Sequence, residues 1–199
     1  MNETEIRGKI SKNKFDELTK FLSKNAMLSD KYNRLTVDIS PGFNRKLRIW
    51  DQVNKKLDNT QIDLRLKKSG QNEKIVVKVG YYASKDREEF EINIKDGELT
   101  NALKLFEALD YKDGMIYVWK SSIYKYKGFE LKLTEYPAGY CEWEIESVDS
   151  GAEPNDLAKE LSLEPFTEEE FQDEITWKNN HLHDLYSLEK AAEILKRWE

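Results

Sequence analysis

The chain has 199 residues, 39% hydrophobic and 35% charged, enough for one good-sized domain, or one domain with an appendage. Its 38 acids against 32 bases give a net charge of −6, which argues against general binding to nucleic-acid backbones. A lone cysteine, Cys141, excludes an internal disulfide, and no apolar run approaches membrane-span length. The charged start lacks a signal-peptide core, so the expected setting is the cytoplasm.

Read as an extended strand, the opening residues put Glu3, Glu5, Arg7 and Lys9 on one face and Thr4, Ile6 and Gly8 on the other. Two carboxylates and two cations in one row suit a divalent metal and the polyphosphate that accompanies it. Ser11 caps a predicted helix over 12–24, with Phe15, Leu18, Phe21 and Leu22 as its apolar stripe. Strands are predicted over 34–40 and 46–53, separated by Pro41-Gly42. Residues 61–67 and 74–79 flank a polar turn as a hairpin, and 87–94 forms the next strand. Thr100 caps a short helix to Leu109, and three strands follow over 115–124, 126–135 and 140–148. In the last quarter Thr167 to Glu170 reads as a capping box, and Ser187 caps a final helix. The acids from Glu168 to Glu174 read as a helix amino end without chemistry, and His181 and His183 as surface histidines.

The alternation of the first strand recurs. Asp63, Arg65 and Lys67 share one face, as do Val76 and Lys78, then Arg87, Glu89 and Glu91, and then Glu142, Glu144 and Glu146. Three glutamates in a row repel one another unless cations lie opposite.

These rows carry a resemblance. Glu3-x-Glu5-x-Arg7 resembles the ExExK signature of the CYTH proteins, the triphosphate tunnel metalloenzymes, with Arg7 where lysine is usual and Lys9 two residues on. Asp63-Leu-Arg65-Leu resembles the family's second basic strand, and Ile75-Val-Val-Lys78 its strand of three apolar residues and a lysine. Arg87-x-Glu89-x-Glu91 resembles its RxExE strand, and Glu144-Ile-Glu146 the end of its closing strand. The order holds over residues 3–146. Two positions depart from the pattern. Lys120-Ser-Ser122 stands ahead of Tyr124 where Lys-x-Arg is common, and Thr134 stands for a tunnel acid.

The resemblance implies an α+β fold: a closed eight-stranded antiparallel β-barrel, the triphosphate tunnel, with helices packed outside. Residues 1–199 would form a single domain, with 152–199 a helical extension on the barrel. It implies that Glu3, Glu5, Glu144 and Glu146, with Glu89 and Glu91, hold Mg²⁺ or Mn²⁺. Arg65, Lys78, Arg87 and Lys120 would grip phosphate, while Arg7 or Lys9 steadies the phosphoryl group or polarises the attacking water. The implied function is metal-dependent hydrolysis of tripolyphosphate, thiamine triphosphate or a nucleoside triphosphate. Adenylate cyclisation of the class IV type and a non-catalytic triphosphate-binding module are the alternatives. The expected partner is a small-molecule triphosphate, with no nucleic acid or membrane, and the expected state a monomer or homodimer.

Overall fold

The computed structural model describes residues 5–50, 56–57, 60–80, 88–148 and 153–198. Glu3 and Arg87 lie outside them. The strands are β1 (Glu5–Ile10), β2 (Met27–Asp38), β3 (Phe43–Asn44), β4 (Ile49–Trp50), β5 (Lys56–Leu57) and β6 (Thr60–Ser69). They continue with β7 (Asn72–Val79), β8 (Glu88–Ile94), β9 (Met115–Tyr126), β10 (Phe129–Glu135), β11 (Cys141–Ser147) and β12 (Asp184–Leu185). Among the described residues the α-helices are α1 (Lys12–Asn25), α2 (Leu99–Ala108), α3 (Pro154–Glu160), α4 (Glu168–His181) and α5 (Leu188–Lys196). No helix among the described residues is long and apolar enough to cross a membrane.

The architecture is α+β with a large antiparallel sheet, its main order β1-β11-β10-β9-β2-β6-β7-β8. No pairing of β1 with β8 is found among the described residues. The chain divides into two compact units, Met1–Asn33 with Trp119–Ile175 and Arg34–Val118 with Thr176–Glu199. Strands β2 and β9 and helix α4 have residues in both.

In the first unit, Ile6, Ile10, Leu131, Leu133, Trp143 and Ile145 pack with Leu18 and Leu22 of α1 and Leu157 and Ala158 of α3. The Ser11 hydroxyl caps α1 by accepting from the Lys14 N–H, as expected. The β9–β10 turn is Lys127-Gly128, both at positive φ (51° and 81°), as a two-residue type I′ hairpin requires. It lies two residues beyond the break expected at residue 125. Helix α3 lies at the start of the segment expected to be helical, 152–199.

In the second unit, Leu35, Val37, Leu64 and Leu66 pack with Leu99 and Leu103 of α2 and Ala191 of α5. Thr100 does not cap α2. The Glu73 carboxylate of β7 accepts the Leu99 N–H instead, at 2.8 Å, and also holds the buried Lys68 at 2.7 Å. Of the strand expected over 46–53, residues 46–48 form a turn and Ile49–Trp50 is β4, while 51–53 lie outside the described residues. Arg48 adopts a positive φ of 55° in the turn between β3 and β4, and its guanidinium donates to the carbonyls of Asn179 and His183 at the end of α4. His183 is buried rather than on the surface, with its ring edge-on to Tyr117.

Burying a Leu or Val side chain contributes about 1.5–3 kcal/mol, whereas exposed ion pairs contribute about 0–1 kcal/mol. The apolar faces therefore set which way each strand is turned, and the charged faces follow. Gly8 is closely enclosed: a Cβ there would strike the Glu164 carbonyl and the Trp143 ring. Gly8→Ala is expected to destabilise the protein by about 1–3 kcal/mol, read as a lower denaturation midpoint in urea.

Candidate functional site

Opposite each apolar face lies a charged one. In the first unit the register stacks it in rows. Glu5 pairs with Glu146, Arg7 with Glu144 and Lys9 with Glu142. Across β11 the same three glutamates face Glu130, Lys132 and Thr134 of β10, and these in turn face Lys125, Ile123 and Ser121 of β9. Lys132 donates to Glu144 at 2.7 Å, Arg7 lies 3.9 Å from Glu144, and Arg7 also bonds Glu5. Tyr140 donates to the nearly buried Glu142 at 3.0 Å. The Ser121 and Thr134 hydroxyls bond at 3.0 Å.

Burial raises the Glu5 carboxyl above its ordinary value, and the Glu144 charge raises it further, against the pull of Arg7 and Lys132. Burial opposes the Arg7 charge, but Glu144 and Glu5 overcome it and hold the guanidinium more firmly protonated. Glu5 and Glu144 are thus close enough to repel each other while two cations partly neutralise them. Their donor atoms are all carboxylate oxygens, which fit Mg²⁺ or Mn²⁺ in chemistry. Among the described residues no three such groups are already gathered around a metal-sized position.

In the second unit the charged face runs through Asp38 and Arg65, Asp63 and Lys78, and Thr36, Lys67 and Lys74. Glu91 and Glu89 of β8 complete the rows. Arg65 makes a forked contact with Asp63 at 2.6 and 2.8 Å and lies 3.4 Å from Asp38. Burial opposes its charge, yet the two aspartates overcome this and raise its pKa. Lys74 pairs with Glu91 and Lys78 with Glu89, each at 2.5 Å. Lys67 differs. Burial, then repulsion from Arg65, Arg34, Lys74 and Lys78, pulls its ammonium down to about 8. An anion on this face would relieve that repulsion.

Of the residues singled out from the sequence, Glu5, Arg7, Lys9, Glu144 and Glu146 share one face in the first unit. Arg65, Lys78, Glu89 and Glu91 share one face in the second. Glu89 and Glu91, expected at the metal, are there paired to lysines.

Lys120 is not brought to the charged face. It pairs with Glu135, and Ser122 pairs with Leu133, on the side where Tyr124, Leu131 and Leu133 enter the core. Ser121, not Ser122, looks onto the charged rows. Alternation on β9 fixes this parity once Tyr124 is buried. Lys132, whose face the sequence leaves open, and Glu130 lie on the charged face instead. Their signal was the alternation Glu130, Lys132, Thr134, legible only after the turn at Lys127-Gly128 had set the register.

Neither a family model nor a curated protein sequence matches the chain. Solved structures do. A conserved hypothetical protein from Pyrococcus furiosus superposes with a TM-score of 0.56 at 19% identity, covering 85% of this chain and 94% of that one. A Pyrococcus horikoshii protein gives 0.54 at 18%, covering 84% and 93%. A candidate adenylate cyclase of Bacillus halodurans gives 0.57 at 16%, covering 87% and 98%. The chain shares their fold. At these identities the likeness extends to the fold alone.

The low Lys67 value makes a pH prediction. A lysine held below its ordinary 10.5 is penalised in the folded state while both states are protonated. That penalty is full below about pH 8 and is relieved as pH climbs from about 8 to 10.5. Lys67→Met is expected to raise the thermal midpoint at pH 7 by about 2–4 °C per kcal/mol relieved. Between pH 8 and 10.5 the parent should gain stability relative to the variant, as scanning calorimetry across that range will show.

Proposed function

We infer that the chain is a CYTH-type protein that hydrolyses a triphosphate with the help of a divalent metal. The observation that carries this reading is the pairing of apolar and charged faces on the same strands. Carboxylates crowd with Arg7 and Lys132 on β1, β11 and β10, while Arg65, Lys67, Lys74 and Lys78 crowd on β6 and β7. Like charges brought together at a cost suit counter-charges from a ligand: a cation on the carboxylates of the first unit and an anion on the lysines of the second. Closure of the antiparallel sheet into an eight-stranded tunnel belongs to the same proposal.

In this reading Glu5, Glu144 and Glu146, with Glu3, hold Mg²⁺ or Mn²⁺, which when bound neutralises phosphate charge. Lys67, Lys74 and Lys78, with Arg87, take phosphate oxygens. Arg65 is clamped by Asp63 and Asp38, so it contributes a fixed positive edge rather than a mobile grip. Phosphoryl transfer needs little beyond positioning and charge neutralisation, which these groups supply. Water adds to the terminal phosphorus, the bridging P–O bond breaks, and Arg7 or Lys9 steadies the charge that develops on the phosphoryl oxygens. Lys120, on the opposite face, takes no part in the grip.

The second reading is adenylate cyclisation, favoured by the shared fold with the candidate adenylate cyclase of Bacillus halodurans. There the ribose 3′-hydroxyl replaces water and pyrophosphate leaves. Incubation with tripolyphosphate, thiamine triphosphate and ATP, each with Mg²⁺ or Mn²⁺, separates the two. Orthophosphate release supports hydrolysis, cyclic AMP with pyrophosphate supports cyclisation, and binding without either product marks a module.

The metal assignment has its own test. Glu144→Gln and Glu5→Gln are each expected to weaken Mn²⁺ binding by about tenfold or more, measured by electron paramagnetic resonance titration. Glu170→Gln, which removes only the capping-box carboxylate of α4, should leave Mn²⁺ binding within about twofold of the parent. Equal losses in all three would remove these carboxylates from the metal site.

A further inference from the structure

The acidic run that opens α4 reads from the sequence as a helix terminus, yet one of its carboxylates reaches the functional face of the first unit. Glu174 accepts a hydrogen bond from Lys9 Nζ at 3.0 Å. Lys9 lies against the Tyr140 ring, 4.8 Å from its centre, and the Tyr140 hydroxyl donates to Glu142 at 3.0 Å, with the Glu174 charge close beside it. Glu142 is beside Lys9 in the register, and hydrogen bonds from Tyr140 and Tyr136 engage it. One turn earlier on α4, Phe171 underlies the Arg7 guanidinium at 4.8 Å. The Phe166 N–H donates to the Arg7 carbonyl at 2.8 Å, and the Thr167–Glu170 box fixes where the helix starts. The first turns of α4 thus engage both cations of β1.

We propose that Glu174 sets anion affinity: it occupies the Lys9 ammonium in place of a phosphate oxygen, and a bound polyphosphate displaces it. This rests on the triphosphate reading above. The Lys9 side chain is 47% exposed, so an anion from solvent reaches it, while that of Glu174 is 18% exposed and held by its helix. A single carboxylate on a half-exposed ammonium is a weak pair. A polyphosphate oxygen, backed by the charge of the whole anion, replaces it with a stronger charge-assisted bond. Glu174 then acts as an internal competitor, and α4 loses one tie to β1 when substrate binds.

The test is calorimetric titration with tripolyphosphate in the absence of divalent metal, so turnover does not enter. The proteins are the parent, Glu174→Gln, Glu174→Asp, Lys9→Gln and the double variant Lys9→Gln/Glu174→Gln. Glu174→Gln and Glu174→Asp are each expected to bind about two- to fivefold tighter than the parent. The aspartate keeps the charge and shortens the reach, so its gain cannot come from a change in net charge. In the Lys9→Gln background the Glu174→Gln substitution should change nothing.

Equal tightening with and without Lys9 would overturn the proposal, as would unchanged or weaker binding by both single variants at residue 174. If the parent binds no tripolyphosphate in this titration, the role of Glu174 falls; if it also binds none with Mg²⁺ present, the triphosphate reading falls with it. Binding by the parent that ignores both changes at residue 174 sinks the role of Glu174 alone.

Discussion

The pairing of Gly8 with Trp143 is the contact on which the first charged face depends. Only a residue without a Cβ lets the Glu164 carbonyl and the Trp143 ring approach β1 this closely. That approach holds Ile6 and Ile10 toward α1 and α3, and it therefore turns Glu5, Arg7 and Lys9 the other way. A slip of one residue would send the charges into the apolar core. Trp143, Ile145, Leu131 and Leu133 resist such a slip on the neighbouring strands, so Glu142, Glu144 and Glu146 keep their places opposite Lys9, Arg7 and Glu5.

The charged faces hold groups at a cost. Glu5 is pushed toward protonation by burial and by Glu144, and Lys67 toward deprotonation by burial and by its cationic neighbours. Elsewhere the chain neutralises its charges more completely. Arg65 is forked onto Asp63, and the buried Lys68 is shared by Glu73 and Asp96. The contrast separates structural ion pairs from groups poised for a ligand. A protein that needed only stability would gain by replacing Lys67 with an apolar residue of similar length; retaining it suits a face that meets an anion.

Helix α4 joins structure to chemistry. Its amino end is tied to β1 through Phe171, Glu174 and the Phe166 N–H, and its carboxyl end is held by Arg48 from the turn between β3 and β4. Arg48 engages carbonyls that the helix leaves without intrahelical partners, which a positively charged side chain does well at that end. Glu174, Lys9, Tyr140 and Glu142 then form one polar network rather than isolated surface groups.

Period-two alternation was legible in the sequence wherever a strand had a clean apolar face, because backbone geometry alone dictates it. Glu5, Arg7, Lys9, Asp63, Arg65, Lys78, Glu89, Glu91, Glu144 and Glu146 all lie on the faces it assigned. The caps by Ser11, Thr167 and Ser187 were equally local, since each depends on a side chain reaching an N–H three residues away. Tertiary structure decided what no local rule reaches. On β9 alternation puts Lys120, Ser122 and Tyr124 on one face and Ser121 on the other, but only packing decided that the Tyr124 face enters the core, because both faces of this aromatic-rich strand carry apolar residues. The capping of α2 by Glu73, the burial of His183 and the contact of Glu174 with Lys9 join residues far apart in the chain. Their energies come from packing and charge between elements, so they exist only once the sheet and its helices have come together.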